Sequence, residues 1–420
     1  MRRILCLLAI LTAYVCSCQP AEAGEPVVRT GIEVLRDRGF EGLKGKRVGL
    51  VTNPSGVDRF LNSTIDILFN APEVELVALY GPEHGVRGDV YAGGQVTDTR
   101  DEATGLPVYS IYGATRKPAP EMLEGIDVMV YDIQDVGVRS YTFISTLGLV
   151  MEACGEKGIE VMVLDRPNPL GGNKIEGCFV EPGFFSFVSQ YEIPYVYGLT
   201  VGELAVMINQ EGMNRGQKGD QAPARCDLTV VPMEEWTRDM LYEDTGLPWV
   251  LPSPNIPFKD TPMYYAAAGI CGELYGFMNI GIGYTLPFQV FGATWLDPDD
   301  LKDRLESYDL PGVSFRTIWF KPFSGSQKGQ LVKGLQYFFT DYESARITET
   351  QFYVMQAVAE LYPDKKAFDV ISGYGLFDKV CGTDYVRTEF QKRYEFTDIK
   401  DYWRKDEETF RALSQRYYIY

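Results

Sequence analysis

Apolar residues gather in short continuous runs through the first half of the chain, at 47–52, 74–80, 106–111, 128–133 and 159–164, each followed by a polar stretch. Runs of strand length without strict alternation are what a sheet covered on both faces requires. Between them the period changes. Residues 62–70 and 141–157 have helical spacing, and in the second Phe143, Leu147, Val150, Met151 and Cys154 recur every three or four positions, which predicts one apolar face. A helix over 200–211 opens with Thr200-Val201-Gly202-Glu203, in which the Thr and Glu side chains can each satisfy the other's backbone N–H. Strand, helix and strand in repetition predict an α/β protein built on a parallel, doubly wound sheet.

Punctuation divides the chain. Residues 212–224, rich in Gly, Asn, Gln and Lys, read as a long exposed loop within the first domain. Prolines at 248, 252, 254, 257 and 262 make the next stretch stiff and non-helical, suited to a domain junction that also lines a site. Beyond it come a Gly-rich segment over 269–292, a helix near 297–307 capped by Asp297 with Pro298 in its first position, a helix near 348–361, and an aromatic, charged C-terminus. The expected organisation is a leader over 1–18, an N-terminal domain over 25–245, and a smaller α/β or α+β domain over 246–420.

The leader has its own pattern. Arg2 and Arg3 precede an apolar run over 4–15, too short for a permanent membrane helix of about 20 residues, and Val15-Cys16-Ser17-Cys18 follows. An aliphatic residue three before a Cys and a small one just before it resemble a bacterial lipobox, which makes Cys18 the expected lipidation site. Simple secretion with cleavage at 21–24 is the alternative. Both readings export the chain, as a periplasmic or cell-envelope protein that meets a membrane only through an N-terminal lipid.

Composition narrows the partners. The 420 residues include 58 acidic and 40 basic side chains, a net charge of -18, so phosphate backbones are repelled and nucleic-acid binding is not expected. Beyond the leader, Cys154, Cys178, Cys226, Cys271 and Cys381 are an odd set with no CxxC spacing, and read as buried small hydrophobes with room for one disulfide.

The candidate chemistry lies just past the strands, on the side where open α/β sheets bind ligands. There the sequence reads Thr52-Asn53-Pro54, Gly81-Pro82-Glu83-His84-Gly85-Val86-Arg87-Gly88, Asp132-Ile133-Gln134-Asp135-Val136-Gly137-Val138-Arg139 and Asp165-Arg166-Pro167-Asn168. Glu83, Asp132, Asp135 and Asp165 are expected to converge with Arg87, Arg139 and Arg166, a crowding that pushes pKa values apart for acid and base work. Glu83, in a turn of glycines and proline, is the candidate general acid, with a nucleophile as the second functional role and a solvated charge as the plain alternative. His84 is the only histidine. Asp132 and Asp135 share a face if their loop turns helically, and the plain alternative is a helix cap with an ion pair to Arg139. No GxGxxG follows the first strand, and GxxxxGK[ST], GxSxG and HExxH are absent, so no nucleotide cofactor, serine elbow or histidine-rich zinc site is implied. An oxygen-ligand divalent site from Glu83, Asp132 and Asp135 remains as an alternative.

GPEHGVRG at 81–88, YDIQDVGVRSYTF at 131–143, LDRPNPLGG at 164–172 and LPSPNIP at 251–257 resemble the NamZ family of bacterial exo-β-N-acetylmuramidases, long catalogued as a domain of unknown function. The resemblance runs from about 31 to 390. It implies a Rossmann-like N-terminal domain, a smaller C-terminal domain and an active site between them that removes N-acetylmuramic acid from the non-reducing end of peptidoglycan fragments. On this chain it implies Glu83 as catalytic acid, with His84 and Arg87 in support and Asp132 or Asp135 as the second group. Gln134, Arg139 and Tyr141 would line the cleft, with Asn53, Asp165, Arg166, Asn168 and Asn255 as further polar contacts. No cofactor or metal is implied. Substrate assistance by the sugar's acetamido group, with an Asp orienting it, is a second mechanism of this chemistry.

One stretch departs from the family. Where members carry a sequence like NLSEGRGTTRPFE, this chain has FMNIGIGYTLPFQ at 277–289, with Ile280, Ile282 and Leu286 in place of a Glu and two Arg. If that loop meets the anionic lactyl group, its cations are gone; if those charges served the fold, activity is untouched. The loop is the feature that favours a non-catalytic lipoprotein binding cell-wall glycans, the principal alternative beside a carboxylate-metal hydrolase.

Overall fold

The computed structural model describes residues 27–88, 99–113, 115–371 and 373–420. Cys18 and the rest of the leader lie outside the described residues. Seven strands make the first sheet: β1 (Arg47–Thr52), β2 (Glu75–Gly81), β3 (Thr99–Arg100), β4 (Pro107–Ser110), β5 (Val128–Asp132), β6 (Glu160–Leu164) and β7 (Leu228–Val231). Their spatial order is β3-β4-β2-β1-β5-β6-β7. The short β3 runs antiparallel to β4, and all other neighbours are parallel. Leaving out β3, the parallel strands follow the order of the doubly wound dinucleotide-binding fold, with the winding reversed between β1 and β5.

The unbroken apolar runs have a simple cause. Val48, Leu50, Val128, Val130, Met162 and Leu164 face a core shared with the helices Gly31–Asp37 and Thr64–Phe69. Their neighbours Val51, Met129, Tyr131, Val161 and Val163 face the opposite core, under the helices Phe143–Lys157 and Val201–Gln210. Both sides of each strand must therefore be apolar.

Helix Phe143–Lys157 corrects one expectation. It is buried all round from Phe143 to Cys154 rather than along one stripe. Tyr191, Ile193 and Tyr197 share its core, and the Tyr191 hydroxyl lies where a side chain on Gly148 would stand. The capping pair at the next helix forms as expected, Thr200 Oγ1 accepting from Glu203 N at 3.2 Å and Thr200 N donating to Glu203 Oε2 at 3.0 Å.

The second unit is α+β. Its antiparallel sheet, ordered β8-β10-β9, comprises β8 (Val290–Ala293), β9 (Val313–Phe320) and β10 (Val332–Phe339). Around it stand the helices Thr261–Gly272, Pro298–Glu306 and Thr350–Leu361. The first begins at the end of the proline-rich stretch, because Pro262 falls in its first turn, where a missing N–H costs nothing. Asp297 Oδ1 caps the second by accepting from Asp299 N at 3.0 Å. The charged C-terminus forms a series of short helices, including Tyr385–Arg393 and Glu407–Ser414.

The two units share one continuous core, in which Val136, Val138, Tyr195 and Val196 of the first pack with Phe277, Phe352 and Trp403 of the second. The C-terminal segment then returns to the first unit, and Tyr420 donates to Asp165 Oδ2 at 2.7 Å. The five described cysteines are unpaired, four of them buried.

Candidate active site

Glu83 leaves the carboxyl end of β2 in a tight turn closed by a hydrogen bond from Gly85 N to Pro82 O at 3.0 Å. His84 occupies the third position of that turn with φ of 76° and is buried. A non-glycine residue in the left-handed region carries local strain, which folds keep where a side chain must be aimed. The half-buried Glu83 carboxylate is held from two neighbouring loops: Tyr112, just past β4, donates to Oε1 at 2.8 Å, and Thr142 Oγ1, at the start of helix Phe143–Lys157, donates to Oε2 at 3.4 Å. Burial, together with the charge on Glu83, raises the Tyr112 pKa, so the phenol stays a donor.

Asp135 approaches the same place from β5. Its Oδ2 accepts from Gly137 N at 2.8 Å and from the Tyr197 hydroxyl, while Oδ1 is buried with no hydrogen-bond partner. Burial outweighs those bonds and pushes its pKa up to about 6. Burial raises the Tyr141 phenol, and the charges of Asp135, Tyr265 and Glu83 raise it further. Tyr265, on helix Thr261–Gly272, meets the Tyr141 ring edge-on at 5.7 Å and exchanges a 2.9 Å hydrogen bond with Ser140. Half-buried Asn255 makes no side-chain hydrogen bond among the described residues, and the buried Tyr141 hydroxyl also has no partner there. Two carboxyls near one group of tyrosines, one of them with a buried oxygen that has no partner, can give and take protons.

Of the unlike charges expected to converge, only Asp132 and Arg166 pair with each other. Asp132 is sealed from solvent and locked to Arg166, with Nε to Oδ1 at 2.5 Å and Nη2 to Oδ2 at 2.9 Å, and Thr64 donates to Oδ2 as well. Residues 133–136 form no helical turn, so Asp132 and Asp135 do not share a helical face. Arg87 turns outward to Asp101, Nε to Oδ1 at 2.8 Å, and that pairing lowers the Asp101 pKa to about 2.

Arg139 is wholly buried. Its Nη1 donates to Cys178 O and Ile193 O, and its Nη2 donates to Val380 O and Cys381 O, at 2.5 to 2.9 Å. It therefore rivets the two units together and does not line the expected cleft. Asp165 is also fully engaged, by Arg166 N, Gly202 N, Thr200 Oγ1 and Tyr420, and burial holds its pKa near about 6.

The amides brace loops. Asn168 joins Leu199 O at 2.9 Å to Leu170 N at 2.9 Å. Asn53 Nδ2 donates to Pro252 O at 3.0 Å, tying the end of β1 to the proline-rich stretch, and Gln134 Nε2 donates to Asp135 O and Pro167 O. Among the described residues, no three His, Cys, Asp or Glu side chains stand together as a metal set.

The departing loop at 277–289 is part of the packing. Ile280 is buried in the main core, and Tyr284 and Leu286 cover Val290, Ile318, Phe320 and Val332 of the second sheet. Its charges are replaced by side chains that the fold uses.

Several residues of the site were not foreseen. Tyr112 obeys the strand-end rule, two residues past β4, and extending that rule to β4 finds it. Tyr265 and Glu273 follow from a helix hidden by its proline. Glu273, just past that helix, makes no hydrogen bond or ion pair among the described residues, and burial pushes its carboxyl up to about 7.

A doubly wound α/β unit joined to an α+β unit, with paired carboxyls at the strand ends and no cradle of glycines for a pyrophosphate, defines a carboxylate-based α/β enzyme class rather than a dinucleotide-binding one. Residues 48–260 match the family described as exo-beta-N-acetylmuramidase NamZ, N-terminal, and residues 263–420 match its C-terminal counterpart. The chain belongs to the NamZ family. It is 43% identical to the peptidoglycan beta-N-acetylmuramidase NamZ of Bacillus subtilis strain 168, over 95% of this chain and 92% of that one. Two crystal structures of DUF1343 family proteins from Bacteroides fragilis share the fold. One has a TM-score of 0.88 at 53% identity and the other 0.74 at 29%, each covering 94% of this chain and 99% of its own.

Proposed function

We propose that this chain is an exo-acting glycoside hydrolase that releases N-acetylmuramic acid, or a related N-acetylhexosamine, from the non-reducing end of peptidoglycan fragments. The observation that carries this is Glu83, held by Tyr112 and Thr142 at the end of its strand, with Asp135 near enough for both charges to act on Tyr141 and one Asp135 oxygen left without a partner. Family membership and the Bacillus subtilis relative support the substrate class.

In this reading Glu83 gives its proton to the glycosidic oxygen as the bond to the anomeric carbon breaks, and water supplies the oxygen that replaces it. Asp135 is the second group in preference to Asp132, whose two oxygens are already taken. Its free Oδ1 suits either of two tasks, accepting the proton of that water or bonding the acetamido N–H so that the sugar's own carbonyl attacks.

The test is release of a chromophore from aryl glycosides of N-acetylmuramic acid and N-acetylglucosamine. We expect selective turnover of the muramic substrate, lost in Glu83→Gln and in Asp135→Asn and indifferent to a chelator. A folded protein that binds muramic acid yet turns over neither glycoside would leave a glycan-binding role instead.

The leader supports export, and Val15-Cys16-Ser17-Cys18 supports a lipid anchor on Cys18 at the cell envelope. Mass spectrometry of the mature N-terminus tests it: a diacylglyceryl Cys18 is expected, and an unmodified start at 21–24 would overturn the anchor.

A further inference from the structure

N-acetylmuramic acid differs from N-acetylglucosamine by a lactyl ether that carries a carboxylate, and a chain of net charge -18 needs a local cation to hold it. The arginines expected at the site are spent: Arg87 on Asp101, Arg166 on Asp132, Arg139 on four carbonyls. Lys117 is shared by Glu152 and Glu156. The loop at 277–289 offers aliphatic side chains only at the three departing positions.

Arg116 is different. It is half-buried on the loop that follows Tyr112, and its guanidinium lies over the Phe187 ring at 4.3 Å. It forms no ion pair among the described residues. Nη1 makes one long bond to Gln217 Oε1, at 3.3 Å, while Nε is enclosed without a partner and Nη2 makes no hydrogen bond. Its charge reaches the phenol of Tyr112, the group that donates to Glu83. A guanidinium fixed by an aromatic face, with Nη2 unspent and Nη1 held by one long bond, near the tyrosine that holds Glu83, is suited to receive a carboxylate.

We propose that Arg116 reads the carboxylate of the substrate's lactyl group and so sets the preference for N-acetylmuramic acid over N-acetylglucosamine. This rests on the reading of the site as an exo-muramidase. Phe187 and Gln217 position the guanidinium, and the muramic carboxylate completes it.

The experiment uses an aryl glycoside of N-acetylmuramic acid and its lactyl carboxamide, with the wild-type protein, Arg116→Gln and Arg116→Lys. For the carboxylate substrate, Arg116→Gln should raise KM about tenfold to a hundredfold, the size of one charge-assisted pair, with kcat little changed and the carboxamide unaffected. Arg116→Lys should recover part of the loss. Equal loss on both substrates would reduce Arg116 to a loop brace and overturn the proposal, as would no loss on either.

Calorimetry of free N-acetylmuramic acid and N-acetylglucosamine, on wild type and Arg116→Gln, separates this from the catalytic reading. A preference for the acid that disappears with Arg116 supports the proposal even if no glycoside turns over. Equal binding of both sugars by the wild type overturns it even if one does.

Discussion

Tyr112 and Glu83 face each other because of sheet register: Gly81 of β2 pairs with Ser110 of β4, and each residue stands two positions beyond its strand's partner. The Tyr112 phenol therefore reaches Oε1 from a fixed neighbour and not from a mobile side. Tyr112→Phe should lower kcat about tenfold to a hundredfold, the value of a hydrogen bond to a charged group, with KM and thermal stability nearly unchanged. Steady-state kinetics with a melting curve decide it; an unchanged kcat would remove Tyr112 from the aim of Glu83.

Asp135 binds its last proton near about 6 in the folded protein, because burial disfavours its charge, whereas an unfolded Asp releases it near about 3.9. Between those values the folded state holds more protons, so this group takes stability away as pH rises through that window. Asp135→Asn should then be more stable than wild type at pH 7.5, by about 1–3 kcal/mol for a shift of this size, with the gain gone below about pH 4, and inactive throughout. Urea melts at the two pH values test this, and a variant destabilised at both would refute it.

Asp132 predicts the opposite behaviour. Asp132→Ala strands the buried Arg166 charge, which typically costs about 3–5 kcal/mol. The loss should appear in the denaturant midpoint, while kcat per folded molecule stays close to wild type. A folded, stable but inactive variant would instead return Asp132 to the catalytic pair.

Glu273 carries a carboxyl pushed up to about 7 by burial alone. Since the unfolded group ionises first, wild-type stability should decline between about pH 4.3 and neutrality, and Glu273→Gln should flatten that decline. Melting temperatures at pH 5 and pH 8 show it, the gain of the variant being confined to the higher pH.

Strand positions were legible because a sheet buried on both faces writes itself as unbroken apolar runs, and β1, β2, β5 and β6 fall where those runs do. In the second unit β9 buries Phe315 in one core and Ile318 with Phe320 in another, among polar or exposed neighbours, and no apolar run marks it. The strand-end rule picks out Glu83 and Asp135 among other charges. It could not tell them from Asp132 and Asp165, since a sequence lists charges without saying which way they point. In the fold Asp132 meets Arg166 and Asp135 meets Tyr197. Arg116 carried no motif at all, and its setting depends on Phe187 and Gln217, far along the chain.

The Arg139 rivet has a mechanical consequence. Its guanidinium takes carbonyls at 178 and 193 on one side and at 380 and 381 on the other. Swinging the two units apart would strip a buried cation of half its acceptors, a penalty of several kcal/mol at about 1.5–3 kcal/mol for each charged bond. The molecule is therefore not a clamshell. Both units keep one relative setting, held by a cation that is itself sealed from solvent.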